Sequence, residues 1–133
     1  PIYQKVYDDE LQENLETTNL IFQFLNDLTS KNEIKFLVFL IPAKEQVDIN
    51  IFNELLEKND KSIDEYDLEK PQILLRDLLE SSNIEYFDLL PSLRKENINN
   101  TFYWEFDGHF NPKGYNLAAD LVYKELINRK YLK

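Results

Sequence analysis

The sequence contains no cysteine. This absence excludes disulfide bonds, catalysis by a thiolate and zinc sites built from cysteine ligands. It leaves the compartment open, because a domain without cysteine is compatible with either side of a membrane. The longest apolar run, Phe36 to Pro42, is also far shorter than the roughly 20 residues that cross a bilayer. We therefore expect no membrane insertion by this segment.

Methionine is absent as well, and the chain begins at Pro1. We therefore expect the 133 residues to be a portion of a longer translation product. On that expectation, the lack of a signal peptide says nothing about the parent protein.

Positive charge is scarce, with 15 basic against 25 acidic residues and a net charge of -10. A surface of this sign repels nucleic acid phosphates and anionic lipid head groups. The basic residues are scattered along the chain, so the sequence indicates no nucleic acid partner. A hydrophobic content of 43% in 133 residues suits one folded domain, which we expect to cover residues 1–133.

Two apolar segments are typical of buried β-strands. Residues Ile34 to Ile41 form an almost unbroken apolar run, which favours a strand covered on both faces, and Ile84 to Leu89 is the second such segment. Strands that alternate with helices predict an α/β fold of three layers, with the first segment as a central parallel strand. Because two strands make a poor sheet alone, we expect further strands upstream. Exposed sheet edges also invite pairing, so a homo-oligomer or strand exchange with a second copy is compatible with the sequence, which leaves the oligomeric state open.

Apolar residues spaced by 3.6 positions, together with capping residues, predict the helices. The polar stretch from Asn59 to Lys70 and the asparagine-rich turn from Asn97 to Asn100 are predicted connections. Asn111 is predicted to cap the last helix and Pro112 to occupy its first turn. The predicted helices run from Asp8 or Asp9 to about Ser30, from Val47 to Lys58, from Pro71 to Asn83, from Pro91 to Glu96, and onward from Pro112.

The sequence has one histidine, His109, and Asp107 lies two positions before it with Gly108 between them. A carboxylate this close can fix the tautomer of an imidazole and stabilise the imidazolium that forms when it accepts a proton. The pair is therefore a candidate for the base half of a catalytic triad, and a solvated histidine in an acidic loop is the simpler alternative. In an extended chain, Glu105, Asp107 and His109 would also lie on one side, where they could act as ligands of a divalent cation. One short segment rarely completes a metal site, so we predict no metal.

The end of the chain contains the run Phe106-Asp107-Gly108-His109-Phe110-Asn111-Pro112-Lys113-Gly114-Tyr115, which continues into Ala118 and Ala119. It resembles the last conserved block of SGNH (GDSL-like) hydrolases, in which Asp and His precede Asn-x-x-Gly and a helix containing alanine. The family commonly has two residues between this Asp and His, and here there is one. Residues Phe39 to Val47 look like the strand-end Pro-x-Lys segment in a subset linked to acyl-group chemistry on cell-surface glycans. Residues Asp88 to Pro91 resemble the Asp-Leu strand end before the catalytic loop.

The resemblance implies the carboxy-terminal portion of an SGNH fold, with a flavodoxin-like parallel sheet in three layers. It also implies an esterase or O-acyltransferase that acts on an acylated small molecule or carbohydrate, without a cofactor. His109 would be the general base and then the general acid, and Asp107 would orient it. The candidate substrate contacts are Trp104, Phe110 and Asn111. An extracytoplasmic parent is compatible with this family, although the sequence itself leaves the localisation unknown.

The nucleophile of that family is a serine in a Gly-Asp-Ser block, and no such block is identifiable in this chain. The serines present have the contexts of helix ends or polar loops, and we interpret them as surface or capping residues: Ser30, Ser62, Ser81, Ser82 and Ser92. The aromatic residues around Trp104 either line a sugar or acyl pocket or pack the loop. Two function classes remain open: the Asp-His half of an esterase or acyltransferase, and a non-catalytic binding or structural domain with the same fold.

Overall fold

The computed structural model describes residues 2–98 and 100–132. It is a mixed α/β structure in which the helices accompany a two-stranded parallel sheet. By its internal contacts the chain forms two compact units. The first unit comprises Pro1–Val38 and Asp60–Tyr86, and the second comprises Phe39–Asn59 and Phe87–Lys133.

The two strands are β1 (Leu37–Leu40) and β2 (Glu85–Asp88). Both lie inside the predicted apolar segments, so the prediction of two parallel strands is confirmed, although each strand is shorter than its segment. Ile34 and Ile41 are exposed, and they lie beyond the ends of β1 rather than in a covered ladder. The pairing ends where the backbone N–H of Leu89 donates to the carbonyl of Leu40 at 3.1 Å.

The first unit contains two long helices, α1 (Asp9–Lys31) and α4 (Lys70–Ser81), which pack against each other. Asp8 caps α1 as predicted, because its carboxylate accepts from the backbone N–H of Leu11 at 2.9 Å. The connection predicted over residues 59–70 contains a short 3₁₀ turn, Ile63–Glu65. The residue after that turn, Tyr66, forms an antiparallel bridge with Gln4.

The second unit contains the remaining helices: α2 (Lys44–Val47), α3 (Ile49–Lys58), α5 (Leu90–Asn97) and α6 (Pro112–Asn128). The short helix predicted between Val47 and Lys58 is α3, and α2 before it is a separate helix that the sequence pattern did not predict. Asp48 separates them in an extended conformation, and its carboxylate accepts from the backbone N–H of Asn50 at 3.0 Å, which starts α3 afresh. The predicted turn from Asn97 to Asn100 includes Asn99, which lies outside the described residues, while the N–H of Asn100 donates to the carbonyl of Asn97 at 3.2 Å.

The core of the second unit is an apolar cluster from α2, the residue after β2, α5, α6 and the segment between the last two helices. Leu89 and Leu93 are fully buried in it, and Phe102, Phe110 and Ala118 complete its centre. Removing such side chains from water is the main stabilising contribution to the fold. The core therefore fixes both ends of the loop that leads into α6.

Among the described residues, four α-helices are followed by a residue of positive φ two positions after the last helical residue. The φ angles are 56° at Glu33, 51° at Asp60, 53° at Asn83 and 59° at Lys130. In three of these helices the next N–H returns to a carbonyl five residues earlier, at 2.8 to 2.9 Å. These are the hydrogen bonds of a Schellman cap, made here without glycine.

Among the described residues, every helix is too short or too polar to cross a lipid bilayer.

Candidate active site

Residues 101–104 form one arm of a narrow loop before α6. Tyr103 and Phe110 form an antiparallel bridge across it. The N–H of Trp104 donates to the carbonyl of His109 at 3.0 Å, which closes the loop. Residues 105–108 therefore form its tip. We call residues 101–111 the Asp-His loop.

Asn111 joins this loop to the helix that follows. Its side-chain oxygen accepts from the backbone N–H groups of Lys113 at 2.9 Å and Gly114 at 3.0 Å, which confirms the predicted helix cap. Its side-chain nitrogen donates to the carbonyl of Thr101 at 2.8 Å. Both ends of the amide therefore fix the loop on the first turn of α6.

Gly114 lets the loop approach the helix closely. A Cβ atom at this position would lie 2.2 Å from the carbonyl oxygen of Phe102 and 2.7 Å from the ring of Phe110. No other residue type fits that space without displacing the backbone. Around Gly108, by contrast, no atom lies within 4 Å of such a Cβ among the described residues.

The structure brings Asp107 and His109 together as the sequence predicts. The Asp107 Oδ1 atom accepts from the backbone N–H of His109 at 2.8 Å and also contacts its Nδ1. These hydrogen bonds from His109 hold the pKa of the Asp107 carboxyl below its ordinary value, and the positive charge of Lys44 acts in the same direction. Asp107 is therefore an ionised acceptor that orients the ring.

The imidazole of His109 is open to solvent, with 78% of the side chain exposed. Because Nδ1 is bound to Asp107, Nε2 is the nitrogen on the far side of the ring that can exchange a proton with another molecule. The pair has the arrangement of a carboxylate-oriented general base.

A cavity of about 910 Å³ in the second unit adjoins the loop tip. Asp107 lines it, together with the exposed aromatic residues Trp104 and Phe106. Its lining also includes Ile51 and Leu55, which lie one turn apart on α3. The cavity thus combines apolar lining with Asp107 of the pair, while His109 is not among the residues that line it.

The three candidate substrate contacts occupy different places. Trp104 and Asn111 line the cavity, although the amide of Asn111 is engaged as a helix cap. Phe110 is 7% exposed and lies in the core, where its ring packs on Tyr103 and Tyr115 at centroid distances of 4.7 and 5.8 Å. The packing alternative for the aromatic residues therefore describes Phe110, and the pocket alternative describes Trp104.

Neither Lys44 nor the apolar face of α3 has a separate role among the predictions from the sequence. Lys44 Nζ donates to the carbonyl of Glu105 at 2.9 Å, across 61 positions of sequence. A contact between residues so far apart leaves no pattern in the local sequence. Ile51 and Leu55 follow the i, i+4 spacing of an amphipathic helix, but this spacing is equally typical of a helix that faces the core.

Within residues 2–98 and 100–132 no cluster of three or more histidine, aspartate or glutamate side chains could hold a metal ion. Several serines have local structural contacts of the kind expected. Ser62 caps the 3₁₀ turn by accepting from Asp64 N–H at 3.3 Å, and the Ser81 hydroxyl donates to the Leu78 carbonyl at 2.9 Å.

No protein-family model matches the sequence, and no curated protein or solved structure is significantly similar to it. The function must therefore be inferred from the geometry of the Asp-His loop and the cavity.

Proposed function

We propose that this chain is the carboxy-terminal part of an SGNH-type esterase or O-acyltransferase with a three-layer α/β fold. The observation that carries the proposal is the Asp107 carboxylate, which binds both the backbone N–H and the Nδ1 atom of His109. The parallel pair β1–β2 and the helices around it are compatible with that fold. The proposal places the nucleophile in a portion of the parent protein that precedes this chain.

In the proposed mechanism a serine hydroxyl attacks the carbonyl carbon of an acyl ester while His109 Nε2 takes the hydroxyl proton. The resulting imidazolium is stabilised by the negative charge of Asp107. When the tetrahedral intermediate collapses, the ester C–O bond breaks and His109 returns the proton to the leaving alcohol. Water deacylates the serine in an esterase, and a second alcohol does so in an acyltransferase.

The cavity supports an acylated small molecule or carbohydrate as the substrate. Its apolar lining residues, among them Trp104, Phe106 and Leu55, suit an acyl group or the face of a sugar ring. Because Asp107 lines the same space, a bound ester would lie beside the catalytic pair.

Hydrolysis of p-nitrophenyl acetate tests the proposal. The 133-residue chain should show no appreciable activity by itself, whereas the parent protein should be active and sensitive to serine inhibitors. In the parent, His109→Ala should lower kcat by roughly 10²–10⁴-fold. Asp107→Asn should also lower kcat strongly, because it leaves the imidazole of His109 in the wrong tautomer. Asp120→Asn, an acid-to-amide change on the exposed face of α6, is the matched control. Full activity in the parent with His109→Ala would refute the proposal.

The second candidate is a non-catalytic SGNH-like binding or structural domain. It is favoured by two of the serines, because Ser62 caps the 3₁₀ turn and the Ser81 hydroxyl bonds within the end of its own helix. The discriminating observation is the sequence upstream of Pro1 in the gene. A Gly-Asp-Ser block after an apolar strand supports the enzyme, and an upstream sequence without that block supports the binding domain.

A further inference from the structure

We propose that Lys44 is a positioning residue for the Asp107–His109 pair, which it acts on by holding the tip of the Asp-His loop against α2. This inference rests on the proposed role of His109 as general base. The hydrogen bond of Lys44 goes to the backbone carbonyl of Glu105, so Lys44 acts on the pair through the loop backbone.

Two hydrogen bonds join the start of α2 to the Asp-His loop. Lys44 Nζ donates to the carbonyl of Glu105 at 2.9 Å, and the hydroxyl of Tyr103 donates to the carbonyl of Pro42 at 2.6 Å. The Tyr103 bond secures the arm of the loop. The Lys44 bond secures the tip, two residues before Asp107.

The helix that carries Lys44 is itself well anchored. Gln46 is buried, and its side-chain oxygen accepts from the N–H of Ala43 at 3.0 Å. Arg94 of α5 donates through Nε to the backbone carbonyl of Gln46 at 2.7 Å. Lys44 therefore extends from a fixed point to a loop tip that has little packing of its own, since Phe106 is 94% exposed.

The charges around the cavity give Lys44 a second effect. Its ammonium group lies close enough to lower the pKa of the Asp107 carboxyl, in addition to the larger effect of the His109 hydrogen bonds. Acidic groups predominate among the other charged side chains that line the cavity: Glu45, Asp48, Glu54 and Glu105, against Lys58. Without Lys44 the Asp107 carboxylate would lie in a more negative environment, while its hydrogen-bonded geometry would lose support.

Nuclear magnetic resonance of the 133-residue chain tests this directly, because its single histidine makes the ring nitrogen signals unambiguous. In the wild type we expect neutral His109 to carry its proton on Nδ1, as the bond to Asp107 requires. Lys44→Met keeps the aliphatic stem but removes the charge and the donors. It should shift the ring nitrogens toward a mixture of tautomers, raise the titration midpoint of Asp107 and lower the ¹⁵N heteronuclear NOE at the loop tip.

Two variants separate positioning from a general change in charge or fold. Lys44→Arg should restore the wild-type tautomer and titration, because it keeps both the charge and the donors. Lys58→Met removes the same charge from the same cavity wall and should leave His109 unchanged. If circular dichroism shows that Lys44→Met is unfolded, Lys44→Gln takes its place. A wild-type tautomer and titration in the folded variant would overturn the proposal, as would an equal effect from Lys58→Met.

Kinetics of the parent protein distinguish this proposal from the proposed function. Lys44→Met should lower kcat by roughly tenfold to a hundredfold with little change in KM, because misplaced catalytic groups lose rate rather than binding. Lys44→Arg should recover kcat. If His109→Ala keeps full activity while the resonance changes persist, the catalytic function fails and the positioning contact stands.

Discussion

Replacing Gly114 by alanine should destabilise the protein at the junction of the Asp-His loop and α6. The new Cβ atom would lie 2.2 Å from the carbonyl oxygen of Phe102, which already accepts the N–H of Asn111 at 2.9 Å. This carbonyl oxygen belongs to the backbone, so it cannot move away as the end of a flexible side chain would. Overpacking of this kind costs about 3 kcal/mol at the upper end of its usual range, and the better helix propensity of alanine returns about 1 kcal/mol. The free energy of unfolding should therefore fall by about 2 kcal/mol.

Urea unfolding followed by circular dichroism and by the fluorescence of Trp104 measures this change. The other glycine of the chain, Gly108, is the control, because a Cβ there has no neighbour within 4 Å among the described residues. Gly108→Ala should alter the free energy of unfolding by less than about 0.5 kcal/mol. The reasoning is wrong if Gly114→Ala unfolds at the same urea concentration as the wild type, or if both variants lose the same stability.

Three further predictions concern a cap, a phenol and the core. Asn111→Ala should lower the free energy of unfolding by about 1–2 kcal/mol in urea, and Asn111→Asp should recover part of this because it keeps the capping oxygen. Burial, and secondarily the charge of Asp67, raises the pKa of Tyr7. The protonated phenol of Tyr7 therefore contributes stability below pH about 10, and this contribution is lost as pH rises through the folded pKa. In thermal melts, Tyr7→Phe should lose less stability at alkaline pH than the wild type. Leu93→Ala should cost about 2–5 kcal/mol, whereas the exposed Ile98→Ala should change stability by less than about 0.5 kcal/mol.

Features with a local physical cause could be predicted from the sequence. The Asn111 cap followed by Pro112 marks the start of α6, and Asp8 marks the start of α1, because a capping side chain bonds to N–H groups two or three residues away. The contact of Asp107 with His109 is equally local. These elements follow from residues that are neighbours in the chain.

Features that depend on distant neighbours were predicted poorly. The short helix α2 was not predicted, because its four residues are too few to show a helical period and its contact with Arg94 spans 48 positions. Phe110 was assigned to the substrate although its aromatic character suits the core equally well. The bond from Lys44 to Glu105 spans 61 positions, and no spacing rule applies at that range.

The glycine-free helix ends described above are sites where substitution should raise the free energy of unfolding. A left-handed residue with a Cβ atom is disfavoured by roughly 1 kcal/mol relative to glycine, and this conformation recurs at Glu33, Asp60 and Lys130, with the more tolerant asparagine at position 83. Glycine at the first three positions would relieve that strain without touching the cavity walls or the Asp-His loop. Sites this far apart in the sequence should contribute additively where they share no partners. Substitutions at these exposed helix ends should therefore give a more stable protein in which catalytic variants can be studied, at positions that the proposed chemistry does not use.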